Sequence, residues 1–295
     1  MAVSLISRPC ESLGLSYETL GPIRTEVNAV KVFIGVDMEG ISGVVAWDQT
    51  ERGKSDYEVF RRYMTKDANA AIEGALAAGA SKIVVTDSHN GGRNILPEDL
   101  NPEATLVTGG GKPMAMVEGL DSTFDAAFFI GYHSRCLSLG VLNHTYSLAV
   151  QNYLVNGKVM GETGMNALMA AYYGVPVVLV SGDCQVCQEA KDLLGTVETV
   201  AVKEPRSQTS AMGMHPLKAR AQIKDAAERA LSNLGSYKAI KAPVPATVRL
   251  QFRNSAKADA ASIMPGSVRV DPVTVEYTGA DYLMAYRGAL TMLHL

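Results

Sequence analysis

The stretch that most constrains this chain is Val32-Phe33-Ile34-Gly35-Val36-Asp37-Met38-Glu39-Gly40. An apolar, β-branched run stops abruptly at two carboxylates spaced i, i+2, followed by glycine. Such a run suits a strand buried on both faces, as in a parallel sheet. In an extended strand, the spacing points both carboxylates to the same side. Two like charges held there need a cation, a shared proton or open water. The stretch alone leaves two readings, a metal-holding pair and a solvated acidic turn.

The segments that follow repeat the pattern. Ile41 to Lys54 is a glycine-containing connection long enough to lie over a site. Phe60, Met64, Ala68, Ala71, Ala75 and Ala78 fall at helical intervals across 55–78, with Gly79 as terminator. Lys82 to Thr86 reads as a second buried strand, ending in Asp87-Ser88-His89 and completing a right-handed β-α-β unit. A short strand over 106–108 leads to Gly109-Gly110-Gly111-Lys112, which lacks the Walker spacing and reads as a flexible or substrate-lining loop. Ala126 to Gly131 is another apolar strand, running into Tyr132-His133. Asn156-Gly157 marks a hairpin over 153–158. Gly161-Glu162-Thr163-Gly164 opens a helix through Tyr173, and Val177 to Val180 is the next buried strand. A short helix over 186–194, a strand over 197–202 and an amphipathic helix over 216–234 follow.

Beyond Gly235 the texture changes. Lys238 to Pro245 reads as a linker, three short alternating runs between 247 and 277 suggest an antiparallel or mixed sheet, and 281–293 a closing helix. The expected fold is α/β, a mostly parallel sheet flanked by helices, with a smaller C-terminal α+β domain. Residues 1–30 form an N-terminal extension, 31–240 the domain carrying the strand-end ligands, and 241–295 the smaller domain.

Composition bounds the function. With 295 residues, 47% hydrophobic and 19% charged, the chain can fill one large or two ordinary cores. A net charge of −3 with no basic block argues against a nucleic-acid partner. No apolar run reaches the ~20 residues that span a bilayer. Four cysteines make no disulfide framework in a chain this long, which points to a reducing cytoplasm.

In open α/β sheets, function gathers at the carboxyl ends of the strands. Here those ends carry Asp37 and Glu39, then His89, then His133, with Glu162 at a glycine-flanked helix start. Two histidines and three carboxylates suit a borderline cation such as zinc. Five ligands exceed one tetrahedral site but suit two ions sharing a carboxylate, a centre that activates a bridging water. His144 follows a strand rather than ending one; its spacing fits a proton shuttle or oxyanion donor as well as an extra ligand or a structural histidine.

Val36-Asp37-Met38-Glu39-Gly40-Ile41-Ser42-Gly43, Asp87-Ser88-His89, 116–121, Gly131-Tyr132-His133, His144, Gly161-Glu162-Thr163-Gly164 and Met264-Pro265-Gly266 together resemble the bacterial D-aminopeptidase family. These are self-compartmentalising zinc peptidases of dipeptide-transport operons, and the likeness runs from about Val32 to the C-terminus. The resemblance implies two zinc ions held by Asp37, Glu39, His89, His133 and Glu162, with manganese or cobalt as alternatives, and a catalytic His144. It also implies release of N-terminal D-amino acids from short peptides or amides by a metal-bridged hydroxide. The assembly it implies is a decamer of two five-membered rings.

The rival readings are a dinuclear phosphoesterase and a non-catalytic small-ligand-binding protein. An Arg or Lys cluster near the ligands is missing for the first, and the G-x-G-x-x-G spacing for a dinucleotide-binding form of the second. Cys184-x-x-Cys187 lacks a partner pair for structural zinc. His215 and His294 read as structural, and Lys203 and Arg206 as lining the substrate path.

Overall fold

The computed structural model describes residues 29–295. Cys10 and all but the last two residues of the expected 1–30 extension lie outside that range. The first strand, β1 (Val30–Val36), is followed by α1 (Tyr57–Ala77) and β2 (Ala80–Asp87), as the periodicity predicts. Then come β3 (Ala104–Val107), β4 (Ala126–Tyr132), the hairpin of β5 (Val150–Val155) and β6 (Lys158–Met160), and α2 (Glu162–Tyr172). The chain continues through β7 (Val177–Asp183), α3 (Cys184–Leu194), β8 (Glu198–Ser207), β9 (Ser210–Gly213) and α4 (Pro216–Ser232). It closes with β10 (Ala246–Phe252), α5 (Ser255–Ala261), β11 (Val268–Asp271), β12 (Thr274–Gly279) and α6 (Tyr282–His294).

The larger sheet has the order β3-β2-β1-β4-β7-β8-β9, parallel except for β9 at its edge. Phe33 at its centre faces Val84 on one side and Ala127 on the other. Alternate residues of β1 and β4 enter different cores. Val32, Ile34, Phe128 and Ile130 pack toward α1 and α4, whereas Phe33, Ala127 and Phe129 pack toward the second sheet and α6. Burial on both faces is why these strands read as continuous apolar runs. Each fully buried side chain of this size contributes roughly 1.5–3 kcal/mol.

The second sheet, β11-β12-β10-β5-β6, is antiparallel. It is assembled from two separated stretches, because β10 pairs with β5 as well as β12. The sequence pattern anticipates only the residues past 241. The β5–β6 pair reads as an isolated hairpin in sequence, and only the fold shows its long-range partner. The short β9 and α5 carry too few residues for a periodic signal and are likewise absent from the sequence reading.

Strand order reverses between β1 and β4, since β2 and β3 lie to one side of β1 and β7 and β8 beyond β4. A crevice forms at such a switch point, beyond the carboxyl ends of the strands.

Candidate metal centre

The five residues expected at the strand ends and helix start meet in this crevice, and His144 joins them. Asp37, Glu39 and His89 form one group and His133, His144 and Glu162 another; within each, the donor atoms lie within 4.8 Å of one another.

The route by which Asp37 and Glu39 converge differs from the expected one. β1 ends at Val36, so the two carboxylates lie in the turn after the strand, not in an extended segment. The turn is held against β4, with the Asp37 N–H donating to the Ile130 carbonyl and the Gly40 N–H to that of Gly131. The approach requires glycine on both sides. A Cβ on Gly40 would lie 1.9 Å from the Tyr132 oxygen, and one on Gly131, where φ is +71°, would lie 2.3 Å from the Asp37 oxygen. Lys203 completes the clamp. It is 3% exposed, and its ammonium donates to the carbonyls of Glu39, Ile41 and Val44. It therefore anchors the turn rather than lining a substrate path. Arg206, on an exposed stretch, pairs with Glu204 and is not among the residues that line the cleft.

The hydrogen bonds around the three histidines set their tautomers. His89 Nε2 lies 2.9 Å from the Thr50 carbonyl, His133 Nδ1 3.0 Å from that of Ser134, and His144 Nδ1 2.9 Å from that of Leu142. A carbonyl only accepts, so each of these nitrogens carries the proton, and in a neutral ring the other nitrogen turns a lone pair inward. Those inner nitrogens face carboxylates. His89 Nδ1 lies 3.0 Å from Glu39 Oε2 and 3.2 Å from Asp37 Oδ1. His133 Nε2 lies 3.2 Å from Glu162 Oε1 and 3.5 Å from Asp37 Oδ2, and His144 Nε2 3.8 Å from Glu162 Oε1. Asp37 thus presents one oxygen to each histidine group.

Lone pairs facing carboxylates repel unless a proton or a cation comes between them. Asp37 Oδ2, Glu39 Oε2 and His133 Nε2 are buried and find no hydrogen-bond partner despite this crowding. Orphaned acceptors pointed at one another, with the outer ring N–H groups fixed on carbonyls, are the donor set and second shell that a divalent ion uses. The residues therefore fit two ions. With protons alone, the charges are lopsided. Burial and the Glu39 charge push Asp37 up to about 7. Burial disfavours the charged forms of Glu39 and Glu162, yet the histidines beside them override it and hold both below the usual carboxylate range. Burial likewise favours neutral His89 and His133, and the adjacent carboxylates outweigh it and raise both well above the usual histidine value. His144 goes the other way, lowered by burial and by His133.

The cleft over this centre encloses about 430 Å³. Trp47, Thr50 and Glu51 of the connection after β1 form one wall, and Gly109 to Lys112 another, as expected of a substrate-lining loop. His294, which reads as structural in sequence, also faces the cleft, with its Nε2 3.1 Å from the Tyr146 hydroxyl. Only the docking of α6 brings it there. His215 caps α4 by accepting from the Leu217 N–H at 3.3 Å. Cys136, Cys184 and Cys187 are free thiols.

Comparison with known proteins agrees with this geometry. Residues 30–291 match the family model described as D-aminopeptidase, peptidase family M55. The chain is 38% identical over 267 residues to a D-aminopeptidase of Bacillus subtilis strain 168, covering 90% of this chain and 97% of that protein. Among solved structures it is similar to the Zn-dependent D-aminopeptidase DppA from Bacillus subtilis, described as a self-compartmentalizing protease. The TM-score is 0.88 with 37% identity, covering 90% of this chain and 97% of that one. With the family model spanning nearly all the described residues, the chain belongs to the M55 D-aminopeptidase family.

Proposed function

We propose that this chain is a zinc-dependent aminopeptidase that releases N-terminal D-amino acids from short peptides or amides. The observation that carries the reading is the pair of oxygens on Asp37, one 3.2 Å from His89 and the other 3.5 Å from His133. A carboxylate so placed would serve both groups of residues. In this reading Asp37, Glu39 and His89 would hold one ion, and Asp37, His133 and Glu162 the second. Two zinc ions held there would supply an activated water and a polarised carbonyl.

The remaining chemistry falls to the chain. We assign the proton-handling role to His144. Its Nδ1–H is fixed on the Leu142 carbonyl, so Nε2 is free to take a proton and pass it to the leaving amine. Stacking supports this role over that of a third histidine ligand. The rings of His133 and His144 lie 4.1 Å apart at 9°. Stacked, parallel rings cannot aim their in-plane lone pairs at one point, so only one of the two would serve as a ligand to a given ion. His144 also lines the cleft that would receive the substrate, whereas the buried His133 does not.

For the assembly, the similar structure's self-compartmentalising character and the exposed Leu137, Leu139 and Leu148 support a homo-oligomer, and we propose the decamer of two five-membered rings. The free thiols support a reducing, cytoplasmic location. Among the described residues no helix is long and apolar enough to cross a membrane.

The test is turnover of D- and L-aminoacyl amides and dipeptides by zinc-loaded protein. Release of the N-terminal residue with preference for the D-series supports the proposal. Hydrolysis of phosphate esters with none of peptides would overturn it.

A further inference from the structure

The glycine run after β3 brings a positive charge to a cleft otherwise lined by carboxylates. Among the described lining residues, Lys112 is the one lysine or arginine, beside Asp37, Glu39, Glu51 and Glu162. Its half-buried ammonium donates to the Asp87 main-chain carbonyl. The two carboxylates whose charge reaches it, Asp87 and Glu118, are engaged elsewhere. Asp87 accepts from the Asn94 and Ile95 N–H groups and from Asn94 Nδ2, and Glu118 accepts from the Met114 N–H. A lysine has three donors, so two remain for a guest.

The backbone around it is shaped for the same purpose. A Cβ on Gly92 would meet Lys112 Nζ at 2.6 Å, so the missing side chain makes room for the ammonium. Gly109 and Gly111 have φ of +102° and +69°, a region glycine enters without strain. The Gly109 N–H donates to the Gly92 carbonyl; among the described residues the next three N–H groups, of Gly110, Gly111 and Lys112, donate to no protein acceptor. A run of open main-chain N–H groups beside an ammonium makes an anion site. Only a single 3-10 turn, Ala115–Val117, follows the loop, so no helix N-terminus adds the field that a phosphate loop has.

We propose that Lys112 and the open N–H groups of this loop bind the C-terminal carboxylate of a short peptide. The inference rests on the aminopeptidase reading and deepens it by naming the group that holds the far end of the substrate, which sets a preference for a free carboxylate over an amide at that end. A short peptide carries an ammonium at one end and a carboxylate at the other. Metal-ligating residues and the loop line the same cleft, so one short guest would meet the first with its scissile carbonyl and the second with its carboxylate. A cleft of about 430 Å³, at the small end of ligand sites, suits a guest of that length.

The experiment compares D-alanyl-glycine with D-alanyl-glycinamide on zinc-loaded wild type, Lys112→Met and Lys112→Arg. Their kcat/KM ratio, acid over amide, is expected to favour the acid in wild type. It should fall roughly 10- to 100-fold in Lys112→Met, mainly through KM, and recover in part in Lys112→Arg. General damage to the fold lowers both substrates together and leaves the ratio unchanged; an unchanged ratio overturns the proposal. Calorimetric binding of the same two compounds is read in parallel. If wild type turns over neither, the aminopeptidase reading has failed, and the binding preference alone decides the carboxylate site. Equal affinity of wild type and Lys112→Met for the acid overturns it.

Discussion

The two halves of the centre are built differently. Asp37, Glu39 and His89 sit at the ends of adjacent parallel strands, and their turn is locked by Gly40 against Gly131 and by Lys203 beneath. His133, His144 and Glu162 come from a strand end, a long loop and a helix start. They are held by ring stacking and by the Tyr146 N–H, which donates to Glu162 at 2.6 Å. The first half is tied to the sheet by backbone hydrogen bonds and by Lys203. The second depends more on loop contacts, and it carries His144, the residue proposed to transfer the proton. Asp37 joins the two.

Replacing the joint should have the largest effect. Asp37→Asn keeps the volume and removes the bridging charge. Metal content should fall below one ion per chain and kcat/KM by at least ~10³-fold, since both activation of water and polarisation of the carbonyl are lost. Retention of two ions would mean that the halves are independent sites. His144→Ala should leave two ions bound and lower kcat by about 10²–10⁴-fold. Loss of one ion with the activity would make His144 a ligand and remove the asymmetry proposed here.

Lys203→Met probes the clamp on the first half alone. A roughly 10- to 100-fold loss of metal affinity is expected, as for other groups that orient ligands. The loss should be confined to the Asp37–Glu39–His89 ion, measured by stepwise chelation. An equal loss at both ions would mean that Lys203 supports the fold generally.

The smallest effect is a pH dependence. Without metal, His89 and His133 are raised in the folded chain. Stability from that source is complete below the unfolded histidine value near 6.5 and is lost as pH rises through the folded values. Asp37, raised to about 7, acts in the same direction, its contribution being complete below the unfolded carboxylate value and lost as pH rises through about 7. Protons and zinc compete for these groups. The rise in Tm on adding zinc should therefore be larger at pH 8 than at pH 6, by about 2–4 °C per proton displaced per pH unit. A zinc effect independent of pH would place the ion away from the histidines.

The difference between the halves also explains what could be read in advance. Asp37, His89 and His133 stand within three residues of the ends of apolar runs, so a strand pattern and the switch-point rule are enough to find them. Glu162 is marked by its flanking glycines. His144 has no such signal beyond its spacing, and its partner Leu142 carbonyl is a loop contact. The anchoring role of Lys203 and the cleft position of His294 are not legible in the sequence because both depend on partners far away in the chain. Lys203 holds carbonyls 159 to 164 residues away, and His294 meets Tyr146 across 148 residues. Local composition carries no trace of contacts at that range. The same holds for β5, where the Asn156-Gly157 turn marks a hairpin but not its pairing with β10.

The central claim is a dinuclear site bridged by Asp37, and metal content per chain tests it most directly. Protein purified without chelator or a nickel column, reloaded with zinc and desalted, would be measured by plasma mass spectrometry. The account predicts about two zinc ions per chain. No retained metal, or one ion unaffected by Asp37→Asn, would contradict it.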